Sequence, residues 1–379
     1  MAKLNPDLQT FANILVVGVG GSGCNAVSRM IASKIEGVKF VAINTDAQDL
    51  HHSNAPVKIN IGKNLTRGLG AGMNPEVGRQ AAEENIDEIK DVLKGADMVF
   101  VTGGHGGGTC TGASPIVAKA SKELGALTVA VVTRPFSFEG ALRARIAEEG
   151  LNNLKEHVDA MVVINNDRLL SVIDRKMSLI DSFKIVDEVL RQGVQGISDL
   201  VVQPGIVNVD FADINAIMQD AGSAMMGVGR ASGEDRAIEA ARAAINSPLL
   251  DTSIAGAHGI LFSVAGGDDL AISEINDAAK IITDEINPEA KVIFGAYNDD
   301  KLKKGEIKVT VIATGFTDVP VATTEELDFS AVAGNGIEER ERTAVTAGIN
   351  TKIKYNNSIK KEKEEEDWDI PAFIRKKMK

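Results

Sequence analysis

Short runs rich in Val and Ile alternate with longer amphipathic runs across residues 13–165, and no other feature limits the possible folds as much. Residues 13–18, 39–44, 98–102, 127–133 and 160–165 have the near-continuous apolar character of parallel strands covered on both faces. The intervening residues 25–35, 75–94, 114–124 and 139–157 read as helices, and Pro75 suits a first helical turn with Asn74 as its N-cap. Strands and helices alternating through short joins specify an α/β fold with a doubly wound, Rossmann-like parallel sheet. A long helix follows near residues 177–198, with Leu179, Ile180, Phe183, Val186, Leu190, Val194 and Ile197 on one apolar stripe. Strand-like runs at 224–229, 259–264, 291–297 and 306–313, with helical runs near 232–246 and 268–285, then describe a second α/β domain.

Two glycine clusters follow expected strands, where open α/β sheets place their ligands. The first, Gly18-Val19-Gly20-Gly21-Ser22-Gly23-Cys24-Asn25, fits G-x-G-x-x-G, and Asp46 stands at the end of the next expected strand. Alone it reads as a dinucleotide fingerprint, so a nucleotide-dependent oxidoreductase of the NAD type is one alternative. The second is Gly103-Gly104-His105-Gly106-Gly107-Gly108-Thr109-Cys110-Thr111-Gly112. Glycine lets consecutive N–H groups converge on a phosphate, and the helix that follows adds its positive end. Two such clusters exceed what one Rossmann pyrophosphate needs. No Walker loop is present, since Gly62-Lys63 is followed by Asn64 and lacks the upstream glycine. The chain is expected to hold nucleotide phosphates in a glycine-lined cleft.

The formal net charge is −12 but unevenly placed, because residues 351–379 carry nine Lys/Arg against six Asp/Glu. The acidic body argues against nucleic-acid binding, which needs cationic surface, but is compatible with phosphates held by backbone N–H groups. The longest apolar runs, 14–19 and 127–133, are too short to span a bilayer, so no direct membrane insertion is expected. Two cysteines, Cys24 and Cys110, imply no disulfide framework, and the first residues lack a secretory layout; the chain reads as cytoplasmic. No His/Cys/Asp/Glu cluster has the spacing of a protein-held metal, and the adjacent His51 and His52 read as surface residues.

The loop Gly106-Gly107-Gly108-Thr109-Cys110-Thr111-Gly112 resembles the GGGTGTG signature of the tubulin-like GTPases. The resemblance continues through Asn44-Thr45-Asp46, the segment Thr66-Arg67-Gly68-Leu69-Gly70-Ala71-Gly72, Pro135-Phe136-Ser137-Phe138-Glu139-Gly140, Arg191-Gln192-Gly193-Val194-Gln195-Gly196-Ile197 and Asn208-Val209-Asp210-Phe211-Ala212-Asp213. It covers roughly residues 13–316 and a C-terminal peptide.

The resemblance implies a GTPase domain joined by a long central helix to a second α/β domain, with a disordered tail. The expected divisions are a flexible N-terminus (1–12), the GTPase domain (13–176), the connecting helix (177–200), a C-terminal domain with the catalytic loop (201–316), a charged linker (317–366) and a partner-binding peptide (367–379). It assigns GTP or GDP to Gly20, Gly21, Ser22, Gly23, Cys24, Asn25, Ala71, Gly72, Met73, Gly106, Gly107, Gly108, Thr109, Cys110, Thr111 and Gly112 around the phosphates. Glu139 and Arg143 would hold the ribose, and Asn166, Phe183 and Asp187 the base, with Mg²⁺ bound through the nucleotide and water. Read without the resemblance, Phe183 is a core residue, Glu139 and Arg143 an i,i+4 ion pair, and Asp187 part of a solvated face.

Asn208, Asp210 and Asp213 would enter the nucleotide site of the next subunit in a head-to-tail homopolymer and orient the attacking water. Their spacing alone favours a helix N-cap at Asp210. The implied function is a GTP-hydrolysing filament former that builds the cytokinetic ring under the inner membrane at the bacterial division site and recruits other division proteins. A nucleotide-binding scaffold that does not polymerise is the remaining alternative. Asp369, Ile370, Pro371, Phe373, Ile374 and Arg375 resemble the family's tail peptide, which docks on membrane-tethering adaptors and assembly regulators. The sequence departs from the signature at Cys110, where the family has glycine, while Ser22 and Cys24 vary the first loop. If position 110 requires positive φ, Cys110 is strained and affinity or turnover suffers; separately, both cysteines fall in phosphate-binding loops, so thiol oxidation is expected to block GTP binding.

Overall fold

A computed structural model describes residues 12–170, 177–203, 205–247, 253–299 and 301–316. Residues 1–11 of the expected N-terminus (1–12), the linker and the tail peptide, including Asp369 to Arg375, lie outside the described residues. The strands are β1 (Ile14–Val19), β2 (Val38–Asn44), β3 (Val57–Asn60), β4 (Met98–Gly104), β5 (Leu127–Arg134), β6 (Ala160–Asn165), β7 (Gly205–Val207), β8 (Gly222–Ser232), β9 (Gly259–Gly266), β10 (Lys291–Asn298) and β11 (Glu306–Thr314). They form one sheet in the order β3-β2-β1-β4-β5-β6-β8-β11-β9-β10-β7. From β3 to β6 all pairs are parallel, as the buried apolar runs predict. Beyond β8 the sheet is mixed: β11 runs antiparallel to β8 and β9, and β7 antiparallel to β10.

Helices cover both faces of the parallel part. On one face Cys24, Val27 and Met30 of the helix Gly20–Ala32 and Val186, Leu190, Val194 and Ile197 of the central helix Leu179–Val202 pack on Val16, Phe100 and Val131. On the other, Ala81, Ile89, Val117 and Leu151 pack on Val17, Val101 and Val132. The central helix lies close to both halves because Gly193 and Gly196 carry no Cβ. One there would stand 2.9 Å from Val131 and 2.8 Å from Thr310 respectively.

Five elements differ from the sequence expectation. The run 75–94 is two helices, Pro75–Glu84 and Ile86–Leu93, broken at Asn85, whose Oδ1 accepts the Gly62 N–H at 2.9 Å. β3 is too short and too exposed for its apolar period to show, and β7 is three residues long. The helices after β1 and β4 begin at Gly20 and Thr109, inside the glycine clusters and earlier than residues 25 and 114.

The two halves join where β6 pairs with β8, over Ala160↔Gly222, Met161↔Ser223 and Val162↔Ala224. Buried Asp159 pins this seam: its Oδ2 accepts the Thr128 N–H at 2.8 Å, Lys122 Nζ stands 2.9 Å from Oδ1, and its carbonyl accepts the Gly222 N–H at 2.9 Å. Asp159→Ala strips a buried N–H of its acceptor and is expected to destabilise the fold by about 1–3 kcal/mol. A lowered urea midpoint with unchanged far-UV circular dichroism checks it.

Candidate functional site

β1 and β4 are parallel neighbours, in register from Ile14↔Met98 to Gly18↔Thr102, so both glycine turns open on one edge of the sheet. Each leads straight into a helix whose N-cap, Val19 or Gly108, makes no side-chain capping bond. First-turn N–H groups without a capping side chain, at the positive end of a helix dipole, suit an anion. A cavity of about 390 Å³ opens there.

Twelve of the expected residues line it: Gly20, Gly21, Ser22, Gly107, Gly108, Thr109, Cys110, Glu139, Arg143, Asn166, Phe183 and Asp187. Gly20 has φ +72°, and Ser22 Oγ accepts the Gly104 N–H at 2.7 Å, tying the two loops together. The hydroxyls of Thr45 and Thr109 meet at 2.6 Å.

The remaining expected residues stand behind the lining. Thr111 Oγ1 accepts the N–H of Gly106, which has φ +102°, at 2.9 Å and shapes the loop. A Cβ at Gly112 would collide with the Pro75 carbonyl, and one at Gly23 would stand 2.6 Å from the Thr102 carbonyl. Ala71 is buried against Gly108, while Gly72 and Met73 turn with positive φ, Met73 half exposed. Asn25 is exposed on the helix after β1.

The cysteines are settled by where the helices begin. Cys110 is the second residue of the helix Thr109–Glu123 and is absent from the positive-φ residues, so the expected strain does not arise. Its space comes from Gly103, whose Cβ would collide with Cys110 Sγ. Burial pushes both thiols up to about 12, Cys24 lying 3.9 Å from the Ile43 carbonyl oxygen. The thiolate is the reactive form, so both are poor targets for oxidation.

At the far end of the cavity the central helix presents Phe183 and Asp187 one turn apart. Phe183 is 41% exposed, so it leaves the core stripe, and its ring meets Phe136 edge-on at 5.7 Å. Asp187 Oδ2 lies 2.6 Å from Arg29 Nε, and Asn166 is buried with its Oδ1 unpartnered. Glu139 pairs with Arg143 and also accepts the Phe136 N–H at 2.9 Å. Gly104 and His105, from the second glycine cluster, also line the cavity, as do Thr133, Pro135, Val186 and Leu190, which were not expected; Thr133 and Pro135 follow from their place at the end of β5. His105 is buried, which pushes its imidazole down to about 4, and its Nδ1 has no partner. Arg29 carries no sequence signal, because it reaches the site only through Asp187.

Asp46 caps the helix Ala47–His52, accepting the N–H groups of Gln48 at 2.9 Å and Asp49 at 3.0 Å. Both bonds fall on Oδ1, so Asp46 serves at least as a helix cap. Asp210 likewise caps the helix Phe211–Met218, its Oδ1 accepting the Asp213 N–H at 2.8 Å, and Asn208 Oδ1 accepts the Gly205 N–H at 2.7 Å. These three residues do not line the cavity, and Asn208 and Asp210 are exposed.

Comparison with known proteins places this geometry. Residues 13–174 match the model of the Tubulin/FtsZ family GTPase domain, and residues 222–317 that of the FtsZ family C-terminal domain. An empty FtsZ dimer of M. jannaschii is 47% identical with a TM-score of 0.78, covering 82% of this chain and 93% of its own. A mutant of M. jannaschii FtsZ is 48% identical with a TM-score of 0.78, covering 81% and 92%. A GTPγS-bound protofilament of CetZ2 from Haloferax volcanii shares the fold at 23% identity, with a TM-score of 0.70 over 80% of this chain and 93% of that one.

Burial disfavours the charged form of Asp187, and Arg29 opposes this only in part, so its pKa rises to about 6 from the ordinary 3.8. The native chain therefore binds this proton more tightly than the unfolded chain, and the group lowers stability as pH rises through that window. Asp187→Asn is expected to gain urea midpoint over the parent as pH increases from about 4 to about 7; a constant difference would mean that the carboxyl titrates normally.

Proposed function

Since the chain belongs to the tubulin/FtsZ family of GTPases, within its FtsZ branch, we propose that it binds and hydrolyses GTP while polymerising head-to-tail. The observation that carries this reading is a separation within one chain. The phosphate-facing helix starts line the cavity, while the exposed Asn208 and Asp210 lie off it. A second copy stacked on the cavity would bring them to the phosphates.

Exposed apolar residues support such an interface. Leu69, Phe138 and Leu142 are 83%, 62% and 56% exposed on the loops and helix that bear the site, and Ile206 is 66% exposed beside Asn208. Surface of this kind gains by burial against a partner.

In the bound state the uncapped N–H groups of Gly20–Gly23 and Gly108–Cys110 would hold the phosphates, and Glu139 and Arg143 the ribose. Phe183 gives the base an apolar face, Asn166 Oδ1 is an acceptor awaiting a donor, and ionised Asp187 can accept from N1–H and the 2-amino group of guanine. Adenine offers no such pair. Among the described residues no group of three or more His, Cys, Asp or Glu is placed to hold a metal, so Mg²⁺ would bind through phosphate oxygens and water. The Thr109 hydroxyl, on a residue that lines the cavity, could meet the waters of such a cation. Bound there, Mg²⁺ would neutralise phosphate charge.

Asp213 and Asp210 would orient the attacking water on the neighbour's nucleotide, making turnover conditional on assembly. The filaments would form the cytokinetic ring at the division site, and the peptide 367–379 would recruit membrane-tethering adaptors. No helix of the described residues is long and apolar enough to cross a membrane.

Phosphate release and light scattering, followed against protein concentration with GTP and Mg²⁺, test the whole reading: turnover should rise steeply with assembly. Asp210→Ala and Asp213→Ala should still bind GTP and assemble, with turnover about 10²–10⁴-fold slower; normal assembly-dependent turnover in both would exclude the assigned role. Removing residues 368–379 should leave turnover and polymer intact and abolish adaptor pull-down.

A further inference from the structure

The seam between the two halves opens into a fork. Past Val162↔Ala224 the strands β6 and β8 stop pairing. β6 continues to Asn165 bonded to β5 on its other edge, and β8 continues to Ser232 bonded to β11. The central helix closes one face of the fork, with Gly193 against Val131 and Met226. Side chains alternate along a strand, so Ser223 and Met225 face the opposite side together with Met161 and Val163. There a cavity of about 260 Å³ lies between the strands and the helix Ala141–Lys155.

Its walls are of two kinds. Leu151, Met161 and Val163 make an apolar side, while Arg134, Glu148, Asn152, Lys155 and Ser223 are polar. Arg134 holds Glu148 through Nη2 at 3.0 Å, yet its Nε is buried with no hydrogen-bond partner. Of the buried side-chain atoms without a partner among the described residues, this is the one that carries formal positive charge. Two others, on His105 and Asn166, belong to residues lining the nucleotide cavity. A buried N–H without an acceptor is costly, so Arg134 Nε marks a point in this cavity where an acceptor would be gained.

We propose that this fork is a second ligand site, taking a small monocarboxylate with an apolar body. The carboxylate sits on the guanidinium of Arg134, whose planar donors match it, and the body lies on Leu151, Met161 and Val163. An occupant bridges strands of the two halves and holds the angle of the fork. The site is separate from the nucleotide cavity, and the inference does not depend on the activity proposed above.

Calorimetry on the full chain with GDP present, using octanoate against octylammonium and octyl phosphate, tests it. Octanoate should bind with unit stoichiometry, and hydrogen exchange should slow in residues 160–165 and 222–226. Arg134→Gln should weaken octanoate binding about tenfold or more. Ser223→Leu, which fills the cavity by a different route, should abolish it, and unchanged GDP affinity reports that both variants are folded. Absence of octanoate binding at millimolar concentration, equal binding of octylammonium, or parent-like binding by both variants would overturn the proposal.

Discussion

The adjacency of β1 and β4 is the constraint on which the rest of the site depends. Parallel pairing from Ile14↔Met98 to Gly18↔Thr102 forces both glycine turns to the same edge. The turns must then share a space too small for side chains. A Cβ at Gly18 would collide with the Gly23 carbonyl, one at Gly23 would press on Thr102, and one at Gly103 on Val19. Much of the glycine content therefore serves close packing of backbone on backbone, and the anion-facing helix starts are a consequence of that packing.

The central helix extends this geometry across the molecule. Its first turns carry Phe183 and Asp187 to the cavity, and its end leads through β7 to the loop bearing Asn208 and Asp210. Near that end a buried polar cluster fixes it to the second half. Tyr297 donates to Asp199 at 3.3 Å, and Lys308 reaches Asp299 at 3.0 Å. Burial pushes the Asp199 carboxyl up against the pull of Lys308. Such a cluster adds little net stability, because desolvating its charges offsets much of their attraction.

Legibility in the sequence followed the range of the interaction. The strands from β1 to β6, apart from the short β3, show in their own apolar runs, and the glycine clusters mark the phosphate edge because backbone freedom is a local property. Asn85 reads as an ordinary helical residue because its bond to Gly62 spans 23 positions. The Arg29–Asp187 pair depends wholly on the helices Gly20–Ala32 and Leu179–Val202 being packed together. Cys110 reads as strained only while the helix is taken to start near residue 114. The helix begins at Thr109, and a helical backbone carries cysteine without strain.

The capping role of Asp210 is compatible with the role proposed for it in hydrolysis and would serve it. A carboxylate has two oxygens, and the cap engages Oδ1 with the Asp213 N–H. That bond fixes the rotamer of Asp210 and, through the helix it starts, the direction of Asp213. A group that orients water must itself be held within a fraction of an ångström. An exposed loop carboxylate without the cap would sample many rotamers and position nothing. The same hydrogen bond that begins a helix in one subunit would thus set the aim of the carboxylates delivered to the next.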